Sequence, residues 1–258
     1  MKLSIKYKDL FEIEKLRDKL AKNKLFKKFV ETYSLKTNVK DLNTKSFWNK
    51  LTNKNRETFT SSPIYQNKIN LVIKRVRKRT GRLLDIGFGN GDVEEKLRNL
   101  ENLSLFDIDI SDCAISNAKR SFRWTFKIGN IFKIPFRQGY FDIVLVLDVL
   151  EHLTGNKTFK AYTEITRVLK KNGELIISVP LNEGLEEMLG RGENPNGHMR
   201  DYTPDIIRAE LTISGFKIFK ETLLYAFKES YLLKSLVLNF LPFGIRKPNL
   251  MIVFAKKK

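Results

Sequence analysis

The sequence predicts an α/β fold built on a mostly parallel sheet with helices on both faces. Short apolar strands recur along the chain with helical patterns between most of them, and the first of those strands runs straight into a glycine-rich turn. At 258 residues and 42% hydrophobic content, the chain can bury one large core, or a core with a small appendage.

Taken in order, the segment Asp9–Leu20 carries apolar residues at helical spacing, and residues 69–79 read as a helix with a strongly cationic end. Cations there complement the helix dipole. Strands are expected near 82–86, 103–108, 124–128, 141–147, 173–179, 216–223 and 250–256. Residues 1–80 are read as a basic helical cap or lid, and 81–258 as the main domain. No internal repeat or low-complexity linker interrupts the pattern.

The glycine turn is the first functional signal. In Leu83–Gly91, Gly87, Gly89 and Gly91 allow left-handed backbone and close approach to a ligand. Asp85 places an ionisable group near the end of an apolar strand, where it needs a partner. A dinucleotide turn has the form G-x-G-x-x-G. Here the form is G-x-G-x-G followed by Asp92, and an acid in that place repels a diphosphate. The expected ligand therefore carries ribose without phosphate. Asp109 ends the second strand 18 positions after Gly91, close to where a carboxylate meets two ribose hydroxyls. Asp107 is its competitor, pointing to the same face by strand alternation.

With these residues in view, the chain resembles the S-adenosylmethionine-dependent methyltransferases of Rossmann-like fold. The likeness is to the small-molecule methyltransferases of the ubiquinone and menaquinone biosynthesis type, the methyltransferase type 11 family. It rests on five segments in family order: 84–91, 107–111, 129–136, 141–153 and 167–180. The resemblance implies a seven-stranded sheet whose last strand, near 250–256, is antiparallel. It implies S-adenosylmethionine as cofactor and S-adenosylhomocysteine as product. The cofactor residues it implies are Asp85, Gly87, Gly89, Gly91, Asp109, Ile110, Asn130, Ile131 and Asp148, the last facing the amino group of the methionine part. Two positions depart from the family pattern. Phe88 stands where a cysteine or small residue is common, a packing change. Asn130 stands where an aspartate usually receives the adenine amino group, and an amide carbonyl can accept the same bond.

Methyl transfer asks the protein for position and electrostatics, because the sulfonium already activates the methyl group. A hydroxyl acceptor benefits from a nearby base. The chain has two histidines, His152 and His198, and both fall in segments that match recurring family motifs. They are the candidate catalytic residues, with simple structural hydrogen bonding as the alternative for each. Asp148, Glu151 and His152 are ligand-type residues within five positions, too little to predict a metal, and none is expected.

Charge and composition bound the partners. Residues 1–80 hold 22 Lys and Arg against 7 Asp and Glu, while 81–258 hold 26 against 22. That basic front reads as a solvated helical cap, as attraction to an anionic substrate or membrane surface, or as a nucleic-acid footprint. The last ranks lowest, because aromatic residues are not interleaved for base stacking. The family resemblance implies a lid over the active site, with Phe47 and Trp48 near the cleft. Cys113 is the single cysteine, which excludes an internal disulfide, and it reads as a small buried residue. The start of the chain lacks a secretory apolar region and no run is long enough to span a bilayer, so a soluble, cytoplasmic protein is expected.

The expected activity is methyl transfer to a small-molecule acceptor, most readily at oxygen, with substrate choice lying in residues 181–247. Lys228–Phe243 is apolar and reads either as a core helix or as an interfacial segment serving a lipid-like acceptor. Competing readings are an RNA or protein methyltransferase recruited by the basic region, a cofactor-binding module without catalysis, and a nicotinamide-dependent oxidoreductase. The glycine spacing and Asp92 speak against the last.

Overall fold

The computed structural model describes residues 41–54, 62–227, 231, 234 and 246–258. The helix expected over Asp9–Leu20 and most of Lys228–Phe243 lie outside the described residues. Two helices precede the sheet, α1 (Lys45–Lys54) and α2 (Pro63–Val76). Then follow β1 (Gly81–Ile86), α3 (Asp92–Leu97), β2 (Leu103–Asp109), α4 (Asp112–Ser121), β3 (Thr125–Ile128) and β4 (Phe141–Leu147). A short 3-10 turn, Leu150–His152, leads to α5 (Gly155–Val168) and β5 (Leu169–Pro180). The chain continues with α6 (Leu185–Gly190), α7 (Pro204–Ile213), β6 (Phe216–Leu224) and β7 (Leu250–Lys257).

The seven strands form one sheet in the order β3-β2-β1-β4-β5-β7-β6. Pairings among β1 to β5 are parallel, and β7 runs antiparallel to both β5 and β6. The expected fold class is therefore observed. Its strand order reverses between β1 and β4, the switch point at which ligands bind beyond the carboxyl ends of the strands.

Both faces of the sheet are covered, which explains the near-continuous apolar strands. Leu83, Ile143, Leu145 and Ile176 pack with Ile69, Val72, Ile73 and Val76 of α2. Their strand neighbours Leu84, Val144, Leu175 and Ile177 point the other way, to Tyr162 and Ile165 of α5 and Ile207 of α7. Helix starts follow local chemistry. The Ser62 hydroxyl accepts from the Tyr65 backbone N–H ahead of Pro63, and the Ser111 hydroxyl accepts from Ala114 N–H at 3.1 Å.

Two features differ from the sequence expectation. β5 begins at Leu169, not near 173, because Leu169 already pairs with Phe141 across an irregular register before Asn172 turns left-handed at φ 60°. The boundary drawn at residue 80 separates α2 from the sheet it covers, so α2 is a layer of the core. Much of its cationic end is also used internally. Arg75 donates twice to Glu174, at 2.6 and 2.7 Å, and Glu174 is fully buried. Among the described residues, no helix is long and apolar enough to cross a membrane.

Candidate active site

β1 delivers the glycine turn to the switch point. Gly87 has φ +75°, and a Cβ there would lie 2.7 Å from Val149 Cγ2, so only glycine fits between the two loops. Gly89 has φ +60°, and a Cβ on it would meet nothing within 4 Å. That space belongs to a cavity of about 310 Å³, within the scale of small-molecule sites.

The cavity wall includes Gly87, Gly89, Asp109, Ile110, Asn130, Ile131, Asp148 and His152. Three further residues supplied by sequence do not line it. Asp85 lies beneath the turn, buried against the sheet. Gly91 caps α3 and backs onto Phe122. His198 sits behind His152, the two ring centroids 4.8 Å apart.

Asp109 is held in one orientation. Its Oδ1 accepts from Ser111 N–H at 2.7 Å and its Oδ2 faces Gly89 N–H at 3.4 Å. Burial pushes its carboxyl above the ordinary value, and those backbone donors oppose the shift. Asp107 is the deeper of the two and does not reach the cavity. It pairs in register with Asp85 and lies with Glu94 of α3 in a buried acidic group. Burial, reinforced by the neighbouring acids, raises Glu94 and Asp107 well above their ordinary values, and Asp85 to about 7. Phe88 packs its ring 5.6 Å from that of Phe126 in a separate aromatic cluster, a packing role. Asn130 turns its carbonyl back onto its own loop, accepting from Phe132 N–H at 2.9 Å. One lone pair of that oxygen is left for a ligand.

Asp148 follows directly on β4 and sits in the left-handed region at φ 54°. Its Oδ2 is paired with the ammonium of Lys68 from α2, and its Oδ1 accepts from the Ser178 hydroxyl at 2.5 Å. Burial alone would raise this carboxyl, but Lys68 and Ser178 hold it below its ordinary value. The sequence reading missed Lys68. Its signal was a lysine on the face that α2 buries, in line with Val72 and Val76, which demands an acidic partner.

The other wall is built by the segment before the sheet. Trp48 of α1 meets His152 edge-on with centroids 4.7 Å apart. Phe47 packs against Gly197, where a Cβ would lie 3.0 Å from its ring. Asn43, also absent from the sequence reading, donates its amide to the carbonyls of His152 and Gly197, both at 3.1 Å. Trp48 lines the cavity as expected, whereas Phe47 lies behind it against Gly197.

His152 Nδ1 lies 3.3 Å from the Gly197 carbonyl. A carbonyl can only accept, so Nδ1 carries the proton and Nε2 keeps its lone pair. Burial and the adjacent His198 pull the ring down to about 3, so it is neutral at pH 7. His198 Nδ1 lies 2.7 Å from Glu183 Oε2. The loop that carries His198 is fastened from below. Met199 N–H donates to the Glu151 carbonyl, and buried Arg200 donates to Thr158, Tyr202 and Glu210.

Residues 84–177 match the family described as methyltransferase domain. An uncharacterized protein of Methanocaldococcus jannaschii is 32% identical over 162 residues, 61% of this chain and 65% of that protein. The ubiquinone/menaquinone biosynthesis C-methyltransferase of Wigglesworthia glossinidia brevipalpis is 32% identical over 119 residues, 42% of this chain and 47% of that enzyme. The matched part thus spans less than two thirds of either relative. Among solved structures, the N-methyltransferase NodS of Bradyrhizobium japonicum in complex with S-adenosylhomocysteine superposes with a TM-score of 0.60 at 13% identity. It covers 81% of this chain and 98% of that one, a likeness of fold.

Proposed function

We propose, from the premise that this chain belongs to the S-adenosylmethionine-dependent methyltransferases through the domain at residues 84–177, that it methylates a small-molecule acceptor at an oxygen atom. The observation that carries the reading is convergence. Gly87, Gly89, Asp109, Asn130 and Asp148 come from four separate loops at the carboxyl edge of the sheet and share one cavity wall.

The residues fit the cofactor. Gly89 leaves open space beside the turn, Asp109 offers a fixed carboxylate for two ribose hydroxyls, and Ile110 and Ile131 offer apolar surface for a base. Asp148, already neutralised by Lys68, keeps lone pairs for the amino group of the methionine part. When bound, the cofactor supplies an electrophilic methyl group. Trp48, Leu153 and the His152 ring form the wall against which an acceptor rests. His152 Nε2 accepts a hydrogen bond from the acceptor hydroxyl and orients its oxygen toward the methyl group. Trp48 and Asn43 cover that end and limit water.

Small size and partly apolar character of the acceptor are supported by this mixed wall. A lipid-like or anionic metabolite is the class we propose, an anionic one having to compete at the rim with Asp41, which holds the Lys157 ammonium at 2.9 Å. Calorimetry with S-adenosylhomocysteine and with NAD tests the cofactor. Binding of the first and not the second is expected, and the reverse overturns the reading. A screen of phenols, hydroxy acids and amines with methyl-labelled cofactor tests the acceptor. Labelling of amines alone would overturn transfer to oxygen.

A further inference from the structure

The loop holding His198 meets the turn after β4 at a second group of donors. One potential ligand atom from each of Glu151, His152 and His198 lies within 4.8 Å of the other two. We infer that Glu151, His152 and His198 form a binding site for one divalent transition-metal cation, with Glu183 holding His198 in the ligating tautomer. Without His198, the sequence offered only Asp148, Glu151 and His152 in close succession, which predicted no metal. The third partner arrives from a loop whose position only the fold sets.

Three observations point to a cation. The donor set is two imidazoles and a carboxylate, a combination that suits zinc and neighbouring first-row ions and leaves at least one coordination position open. Next, both imidazoles are already arranged for ligation. Nδ1 of His152 is committed to the Gly197 carbonyl and Nδ1 of His198 to the Glu183 carboxylate. Each ring therefore keeps Nε2 as its free lone pair, and a histidine bound through Nδ1 to a carboxylate is the usual outer support of a metal ligand. Finally, Glu151 is 1% exposed and its Oε2 has no hydrogen-bond partner. A buried carboxylate oxygen without a donor is costly, and a cation at the cluster supplies what it lacks.

The scaffold suits such a site. Met199 N–H donating to the Glu151 carbonyl fixes the distance between the two loops, and the Arg200–Glu210 pair anchors the His198 loop in the core. His152 alone of the three also lines the cavity, so the ion lies at the acceptor end; it takes the Nε2 lone pair, and in the metal-loaded chain the ion's open position replaces that nitrogen as the partner of the acceptor oxygen. That last use rests on the proposed methyl transfer. Metal binding itself does not, and the two can fail separately.

The test uses the full chain stripped with chelator, titrated with Zn²⁺ by calorimetry and with Co²⁺ by visible absorption. One Zn²⁺ per chain is expected, with Mg²⁺ at least a hundredfold weaker, and with Co²⁺ giving the intense bands of low coordination. Glu151→Gln and His198→Ala should each weaken Zn²⁺ at least tenfold, and Glu183→Gln by about 10–100-fold. Thermal melting and S-adenosylhomocysteine binding serve as controls for folding in each variant. Failure to bind Zn²⁺ in the wild-type chain overturns the site. So does Zn²⁺ binding of equal strength in folded Glu151→Gln and His198→Ala. If S-adenosylhomocysteine binding fails while Zn²⁺ binds as expected, the methyltransferase reading falls and the metal site stands.

Discussion

Lys68 is 2% exposed, and its ammonium is seated on the carboxylate of Asp148 at the end of β4. A helix that precedes the sheet thus shares an ion pair with the wall of the cavity. Replacing Lys68 by Met should destabilise the fold by about 1–3 kcal/mol, less than the ~3–5 expected for a fully buried pair because Asp148 keeps some solvent contact. Asp148→Asn alone strands the deeper partner and should cost more. The double variant should recover part of the loss. Denaturant unfolding of the three variants checks this, and strict additivity would mean that the pair contributes nothing.

Asp109→Ala should weaken S-adenosylhomocysteine at least tenfold, through lost ribose hydrogen bonds worth about 1.5–3 kcal/mol to a charged acceptor. Calorimetry gives the answer directly. Asp107→Asn should leave the affinity within about twofold, because that carboxyl lies beneath the cavity floor.

At Gly87, conformation and space act together. Gly87→Ala places a Cβ 2.7 Å from Val149 Cγ2 on backbone at φ +75°, and a destabilisation of about 1–3 kcal/mol is expected. Adding Val149→Ala removes the clash but leaves the backbone strain, so thermal melting should show recovery of part of the loss and no more.

The buried acids set a pH dependence. Folded Asp85 titrates near 7 against an ordinary 3.8, and Glu94 and Asp107 are also raised. Between the unfolded and folded values the unfolded chain holds fewer protons, so stability falls as pH rises from about 4 toward 7. Each carboxyl contributes a slope of up to about 1.4 kcal/mol per pH unit. Glu94→Gln should flatten the curve, measured as denaturant midpoints from pH 4.5 to 8. Stability that rises across that window in the wild-type chain would contradict the assignment.

Several parts of this architecture were legible in the sequence for plain physical reasons. Strands buried on both faces must be apolar along their length, and a left-handed turn must use glycine, so β1, its turn and β4 announced themselves. Asp109 was legible because an acid at a strand tip has few other uses. The approach of His198 to His152 was not. It depends on Arg200, Glu210 and one backbone bond from Met199 to Glu151, tertiary links that leave no periodic trace. Asn43 was equally silent, since an asparagine ahead of a helix reads as an ordinary turn residue. Lys68 lay between these extremes, visible as a charge on an apolar helix face but without a named partner.

The amide of Asn43 binds carbonyls of His152 and Gly197, the latter 154 positions away along the chain. During synthesis, then, the segment that covers the acceptor end emerges early and waits for its partners until most of the domain has been made. The closure of so long a loop comes late in folding, since its entropy must be spent before the contact repays it. Leu250, Ile252 and Phe254 of β7 pack in the same core layer as α2, so the other side of the cavity is likewise completed only when the chain is nearly whole. A chain ending before Gly197 therefore lacks both the second carbonyl that Asn43 holds and the last two strands of the sheet.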